Sequence, residues 1–414
     1  MPAKVDYLIH INPCWDGHFI PLMKLMWPIF LHEGVEVVNL CHRADLAERM
    51  VREELPDCAE KISHNPLEVD WSGEVGSLAY SQNYWSMVAA KIREIVAARG
   101  PSGRIINQWA EFGVNAYSPT EWLDKAMILP WYGVYLNPTE FRLQKPLVPK
   151  FVDAVKNLVK GRRIFPAPSA AMKTQNLRGM FLYDENVLEK AKKRFGKSVV
   201  VDSFPDVSSE ECDESFEIPE LEAHLAAGKK IVACLGVMQR RKGVLNLLKA
   251  SKNLPDDWVV LIVPHGGDIR WDTFPLNEQQ ELREILLAAP QNILYYPIEL
   301  NDRQFNALVK KTHLLYLGYL DFYHSSNLQI KAAQFKKPII VPNEHLMAER
   351  TKKYGLGLCL KDLSVESTQE VCSNIDHQDL KNFASYSFLK DFLDQHSVLK
   401  LNNTIKITAG KLVC

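Results

Sequence analysis

The sequence has no surplus of either charge. Its 414 residues carry 49 Lys and Arg against 50 Asp and Glu, a formal net charge of -1. A nucleic-acid backbone demands clustered cations, so that class of partner is excluded, while a pocket with one or two cations for a small phosphorylated ligand stays open. No Cys-x-x-Cys pair occurs among Cys14, Cys41, Cys58, Cys212, Cys234, Cys359, Cys372 and Cys414, and several of these sit in apolar strand-like runs. That pattern argues against a zinc site or a disulfide framework and for a reducing compartment. No apolar run approaches the roughly 20 residues of a membrane-spanning helix. The opening MPAKVDYLIHINP lacks the apolar core and small-residue cleavage site of a secretory signal. No short repeat or low-complexity segment is visible. The expectation is a cytoplasmic protein, with peripheral membrane association left open. Lys145, Lys150, Lys156 and Lys160 would present to such a surface, and a solvated helix face accounts for them equally.

What is present is an alternation of short apolar runs with helical patterns. Hydrophobic residues make up 47%, and a chain of this length is expected to form two domains, each with its own core. Val5–Ile11, Val35–Leu40, Gly103–Gln108, Met180–Tyr183 and Ser198–Val201 read as strands, separated by helices at Phe19–His32, Ser77–Ala98, Phe151–Lys160 and Glu185–Phe195. The run 206–220, DVSSEECDESFEIPE, is acidic and poor in aliphatic residues and reads as a linker. Alternation then restarts, with strands at Lys230–Leu235, Trp258–Val263, Ile293–Tyr296, His313–Leu317 and Pro338–Val341 and helices between them. A strand, a crossover helix and a further strand in one sheet mean parallel pairing. The fold class is therefore α/β: two Rossmann-like doubly wound domains facing each other across a cleft. The expected boundaries are 1–207 for an acceptor-binding domain, 208–227 for the linker, 228–384 for a donor-binding domain, and 385–414 for a terminal helix and tail.

Several loops at strand ends carry groups suited to chemistry. Asp16-Gly17-His18 runs into a helix whose first N–H groups are unpaired. His18 is a candidate general base with Asp16 as its orienting partner, and helix capping by Asp16 explains the same residues. Arg240-Arg241-Lys242 follows the strand Lys230–Leu235 and suits phosphate oxygens, although a solvated basic turn has the same composition. His265 and Gly266 open a glycine turn after Trp258–Val263, which also needs no ligand to explain it. Ser325, Ser326 and Asn327 enter a helix and either cap it or hold a phosphate, with Lys331 one turn onward. Glu111, Trp131 and Tyr132 are candidates for an acceptor pocket, where aromatic rings stack on sugars; they equally fill cores.

In order and spacing, these segments resemble the nucleotide-sugar-dependent GT-B glycosyltransferases, of the glycosyltransferase family four type. The likeness is best over about residues 180–365. There IVACLGVMQRRKGVLNLLKAS resembles the donor phosphate loop, and HSSNLQIKAAQFKKPIIVPN the donor-site helix; GHFIPLMKLMWPIFLHEGVEVV is similar to the opening common among these enzymes. The resemblance implies a hexosyltransferase-like enzyme that moves a sugar from a nucleotide diphosphate to an acceptor hydroxyl, needs no metal, and works in glycan or glycoconjugate synthesis. It implies that Lys242 binds the donor diphosphate and that the acceptor is a glycan, a lipid-linked molecule or a protein. Two departures stand out. The family's phosphate-binding Arg falls at Val237, so Arg240 or Arg241 substitutes for it. The family's two donor-site carboxylates fall at Tyr323 and Lys331, and a protonated Lys cannot accept a hydrogen bond from a ribose hydroxyl. Donor binding is rearranged or lost, and the alternative is a catalytically inactive GT-B-like glycan-binding or scaffold protein. A sugar-nucleotide epimerase of similar shape is a third reading.

Overall fold

A computed structural model describes residues 5–13, 19–68, 77–114, 118–142, 168–288, 290–374, 383 and 388–410. The chain forms two compact units: residues 1–205 with 397–414, and residues 206–396.

In the first unit seven parallel strands take the order β3-β2-β1-β4-β5-β6-β7. They are β1 (Tyr7–Asn12), β2 (Glu36–Cys41), β3 (Ile62–Pro66), β4 (Gly103–Asn107), β5 (Trp131–Tyr135), β6 (Leu177–Leu182) and β7 (Val200–Ser203). β1 and β5 are buried at every position, as strands of a parallel sheet covered on both faces are, and neither shows an alternation of apolar and polar faces. Crossover helices α1 (Phe19–His32), α2 (Ala44–Glu54), α3 (Leu78–Arg99), α4 (Thr120–Ala126) and α5 (Leu188–Phe195) separate the strands. Ser77 starts α3 by accepting the Tyr80 N–H, and Gly100 ends it at a φ of 81°. Its buried face, which includes Tyr84, Trp85 and Ile92, packs on Ile9, Ile11 and Ile105 of the sheet. The helix expected at Phe151–Lys160 lies outside the described residues.

The second unit has six parallel strands in the order β10-β9-β8-β11-β12-β13. They are β8 (Lys230–Gly236), β9 (Trp258–Pro264), β10 (Ile293–Tyr295), β11 (Leu314–Tyr316), β12 (Ile339–Pro342) and β13 (Gly357–Leu360). Its helices are α6 (Pro219–Ala226), α7 (Val244–Ala250), α8 (Leu276–Leu287), α9 (Asp302–Lys311), α10 (Asn327–Gln334), α11 (His345–Tyr354), α12 (Val365–Asn374) and α13 (Phe388–Gln395). A capping box between Asn301 and Gln304 starts α9. The acidic run read as a linker is packed rather than tethered. Ile218 and Leu221 lie in the core of this unit, and Asn306 Nδ2 donates to the Ser209 and Glu211 carbonyls at 3.0 and 2.8 Å. Leu389 and Phe392 of α13 join the same core. The last helix, α14 (Val398–Thr408), belongs to the first unit, where it packs on α1 and Lys400 pairs with Asp202 at 2.6 Å.

Each sheet reverses its strand order once, between β1 and β4 in the first unit and between β8 and β11 in the second. At such a reversal the flanking crossovers depart to opposite faces and leave a crevice at the carboxyl ends of the strands, where doubly wound folds bind ligands. Among the described residues no helix is long and apolar enough to cross a membrane. Cys41, Cys58, Cys212, Cys234, Cys359 and Cys372 carry free thiols.

Candidate functional site

The basic loop lies at the β8/β11 reversal of the second unit. Residues Arg240–Lys242 form one 3-10 turn between β8 and α7, and Gly243 closes it at a φ of 68°. A Cβ on Gly243 would stand 2.1 Å from the Gly318 carbonyl oxygen, so only glycine allows the loop to lie this close to the chain leaving β11. The Leu320 N–H donates to the Arg241 carbonyl at 2.7 Å and fastens the two segments together.

That contact buries Lys242, which is 8% exposed, against the aromatic loop after β11. Its ammonium donates to the Tyr319 hydroxyl at 2.5 Å and lies 4.1 Å from the centre of that ring. The Ser326 hydroxyl donates to the same Tyr319 oxygen at 3.4 Å. The guanidinium of Arg241 lies 5.1 Å from the Phe322 ring centre, and its Nη1 is buried without a hydrogen-bond partner. No carboxylate pairs with Arg241 or Lys242 among the described residues. Beside them His324 is pushed down to about 4 by burial and by the Arg241 charge, so it stays neutral at pH 7. Its Nδ1 is buried and unpartnered. Two cations without a counter-ion in a half-buried crevice are an electrostatic debt that an anionic ligand cancels.

The other expected site residues divide sharply. Arg240 is turned away: its Nε and Nη2 grip the Glu278 carboxylate at 2.8 Å each on an exposed surface. The reading of Arg240 as a phosphate ligand is therefore corrected, because its fork is already filled. Ser325 and Asn327 do not face a phosphate either. The Ser325 hydroxyl donates to Asp206 Oδ2 at 2.7 Å while accepting from the Arg350 guanidinium at 2.5 Å, and Asn327 Nδ2 donates to Asp206 Oδ1 at 3.1 Å. An internal carboxylate, Asp206, thus takes the place by the start of α10 that was expected to hold ligand oxygens.

Lys331 points from α10 to α9, where it meets Asp302 Oδ1 at 2.9 Å and Asn306 Oδ1 at 2.5 Å. Burial lowers its pKa against the pull of Asp302. It joins two helices and shares no ligand with Asn327. His265 and Gly266 form an exposed turn, tied to β8 by the His265 N–H donating to the Gly236 carbonyl at 3.0 Å.

In the first unit Asp16, Gly17 and His18 lie outside the described residues. Trp131 is fully buried in the sheet core and donates its indole N–H to Thr174 Oγ1 at 2.6 Å. Tyr132 is buried on the opposite face, stacked on Phe181 at 6.2 Å. Neither ring offers a face to an acceptor, so both acceptor assignments are corrected: an alternating pair on a buried strand has no solvent face. Glu111 does lie at a strand end, where its carboxylate accepts the Leu136 and Asn137 N–H groups at 3.3 and 2.6 Å. Burial outweighs those bonds and raises its pKa to about 8. Among the described residues no group of three or more His, Cys, Asp or Glu is arranged to hold a metal ion.

Tyr319, Phe322, Asp206 and Arg350 were not singled out from the sequence, and His324 entered only as the first residue of the run HSSNLQIKAAQFKKPIIVPN, with no role given to it. Only the aromatic spacing in Tyr319-Leu320-Asp321-Phe322, directly after a strand, hinted at Tyr319 and Phe322.

No protein-family model matches the sequence, and no curated protein is similar to it. Solved structures are similar over nearly the whole chain. A glycosyltransferase from Rickettsia africae ESF-5 has a TM-score of 0.63 and 14% identity, covering 98% of each chain. The Anabaena protein HepE, solved in complex with UDP and glucose, has a TM-score of 0.59 and 11% identity, covering 98% of this chain and all of its own. A UDP-N-acetylglucosamine 2-epimerase has a TM-score of 0.61 and 11% identity, covering 99% of this chain and 97% of its own. The fold is GT-B. At these identities the likeness extends to the course of the backbone, and the chemistry has to be argued from the residues.

Proposed function

We propose that the chain is a glycosyltransferase that moves a sugar from a nucleotide diphosphate donor to an acceptor hydroxyl. The observation that carries this reading is the pair Arg241 and Lys242, held without a counter-ion at the strand reversal of the second unit. A diphosphate supplies adjacent anionic oxygens for both: Lys242 as a compact point charge and Arg241 as a planar donor. In the reaction, negative charge accumulates on the leaving diphosphate, and the same two cations stabilise it where it forms. Neutral His324 accepts a hydrogen bond from a donor hydroxyl, a task that the carboxylates missing at Tyr323 and Lys331 would otherwise perform. His18, oriented by Asp16, keeps the role of acceptor-side base. The structures of HepE with UDP and glucose, and of a transferase and an epimerase on the same fold, support a nucleotide-sugar ligand. So do the family four-like motifs.

A second reading, a GT-B-shaped glycan-binding protein without activity, draws on Lys331. With a lysine tied to Asp302 and Asn306 where the resemblance calls for a ribose-binding carboxylate, nucleotide affinity would be low.

The test is a thermal-shift panel of the full chain against UDP, GDP, CDP, dTDP and ADP, with and without magnesium, followed by nucleotide release from the matching sugar donor. A ligand that binds only the folded state raises the melting temperature. One stabilising nucleotide, lost in Lys242→Ala and indifferent to magnesium, with release that depends on an acceptor, is the expected result. No shift from any nucleotide overturns the transferase reading, and a shift without turnover favours the glycan-binding one. Interconversion of the donor sugar without an acceptor would identify an epimerase.

A further inference from the structure

The helix after the aromatic loop is started by a residue from elsewhere in the chain. Ser326 is the N-cap of α10, with an extended backbone, yet its side chain accepts no bond from the first turn. Serine at this place ordinarily takes the N–H two or three residues on. Here the buried hydroxyl is given instead to Tyr319, at 3.4 Å. The first turn of α10 also has no acidic residue of its own to meet the positive end of the helix. Asp206, at the start of the second unit, supplies that charge. It is buried, and its two oxygens take the residues on either side of the N-cap. Oδ2 accepts the Ser325 hydroxyl at 2.7 Å, and Oδ1 accepts Asn327 Nδ2 at 3.1 Å. Buried Arg350 fixes Ser325 from its other side, donating to the same hydroxyl at 2.5 Å. Asp206 is itself anchored, since its N–H donates to His396 Nδ1 at 3.1 Å.

These contacts form a chain that ends on a crevice cation. Asp206 grips positions 325 and 327, and the backbone between them presents Ser326. Ser326 meets the Tyr319 oxygen, and that oxygen accepts Lys242 Nζ at 2.5 Å. The carboxylate is not what tethers its own segment. Asn327 Nδ2 donates to the Val207 carbonyl at 3.1 Å, Gln334 Nε2 to that of Ser208 at 2.9 Å, and Asn306 to those of Ser209 and Glu211. Neutral amides hold 207–211, and the carboxylate of Asp206 is directed at the start of α10 instead.

We infer that Asp206 is a positioning residue for the Arg241 and Lys242 crevice. It takes over the start of α10, which leaves Ser326 to hold Tyr319 and, through Tyr319, the Lys242 ammonium. The consequence for a nucleoside diphosphate rests on the transferase reading; the geometry does not. A cation fixed before the ligand arrives gives up less freedom on binding it, and it stands where leaving-group charge develops. The inference also accounts for Ser325 and Asn327, whose bonds suit a phosphate and are made to a carboxylate of the chain.

The experiment compares the full chain with Asp206→Asn, which keeps the shape of the side chain and removes its charge. Gln334→Met is the control, because it removes the Ser208 anchor and leaves Asp206 untouched. The first readout needs no ligand: acetylation of Lys242 by trace N-hydroxysuccinimidyl acetate, measured by peptide mass spectrometry against exposed Lys390. Labelling of Lys242 should be about fivefold or more faster in Asp206→Asn and unchanged in Gln334→Met. The second is the Kd for UDP and for inorganic pyrophosphate by titration calorimetry. Asp206→Asn should weaken both about three- to tenfold, and by under about twofold when Lys242 is already Met, because the effect passes through Lys242. Should Asp206→Asn fail to fold, Ser326→Ala cuts the same chain one link later and carries the same expectation. Unchanged labelling overturns the inference. So does an equal rise in Gln334→Met, which would show general loosening, or an affinity loss that persists in full on the Lys242→Met background. Faster labelling with no binding of UDP or pyrophosphate keeps Asp206 in its role and removes the transferase reading. Binding and labelling both unaffected by Asp206→Asn remove this inference alone.

Discussion

Replacing Lys242 by Met keeps an unbranched apolar stem, one atom shorter, and deletes the charge. Lys242 is 8% exposed, donates at 2.5 Å to a neutral phenol, and has no carboxylate within reach among the described residues. Two effects of opposite sign follow. Without nucleotide, the variant replaces a buried unpaired ammonium by a methyl thioether, a change that is neutral or stabilising when the group packs well. With nucleotide, it removes one charge-assisted contact to a diphosphate oxygen. Bare attraction at 4 Å with an effective dielectric of 20 is about 4 kcal/mol, an upper bound before desolvation. A hydrogen bond to a charged group contributes about 1.5–3 kcal/mol net. The net figure governs, because the diphosphate must leave water to reach the crevice, and at 1.4 kcal/mol per tenfold it predicts Kd weakened about 10- to 100-fold. Isothermal titration of wild type and variant with the nucleotide that gives the largest thermal shift measures this, alongside the melting temperature of each protein alone. Unchanged affinity would refute the assignment. A variant that loses several degrees of stability and affinity in parallel would refute it too, by showing that the ammonium serves only as a strut for Tyr319.

Arg240→Ala should leave nucleotide affinity within about twofold and cost under about 1 kcal/mol of stability, since its exposed pair with Glu278 lies away from the crevice; a large affinity loss would return Arg240 to the site. Gly243→Ala should destabilise the second unit by about 1–3 kcal/mol and weaken nucleotide binding, because the new Cβ collides with the Gly318 carbonyl at an already left-handed φ; denaturant titration with no shift in midpoint would contradict the close approach. Burial lowers His10 from 6.5 to about 4, and its Nδ1 is occupied as an acceptor, so the fold holds it neutral. The unfolded chain then binds the extra proton between those values, and stability falls as pH drops from 6.5 to 4. His10→Gln should abolish that component in a denaturation series read by tryptophan fluorescence. Glu111 acts in reverse: its carboxyl is raised from 4.5 to about 8, so the folded chain holds the extra proton and stability falls as pH rises across that range. Glu111→Gln should gain on the wild type between pH 5 and 8, and parallel curves would show that the carboxyl is not buried as described.

Much of the backbone was legible. The runs at Lys230–Leu235 and Trp258–Val263 are rich in β-branched residues and bounded by turn signals, and they became β8 and β9 with shifts of one residue at an end. Trp131–Tyr135 was read as a pocket lining and is a central strand, because its aromatic character suits a sheet interior as well as a sugar platform. The acidic run at 206–220 looked like a linker for want of aliphatic residues. It is anchored instead by polar side chains from α9 and α10, which a hydropathy pattern does not register.

The candidate site was legible only by composition. Arg240, Arg241 and Lys242 are alike in the sequence, yet each has a different fate: one held by Glu278, one stacked on Phe322, one buried on Tyr319. Partners separated by 38 or 77 positions, a carboxylate for Arg240 and a phenol for Lys242, are invisible to a local reading. The same holds for Ser325 and Asn327, whose composition suits a phosphate and whose carboxylate partner, Asp206, lies about 120 positions upstream. The sequence by itself determined the alternation of elements, and with it the parallel α/β class, because periodicity and turn chemistry act between near neighbours. Which cations remain unpaired, and which carboxylate stands at the start of α10, only the tertiary structure decided, because a charge or a hydrogen bond is satisfied by whatever the fold brings within about 3 Å of it.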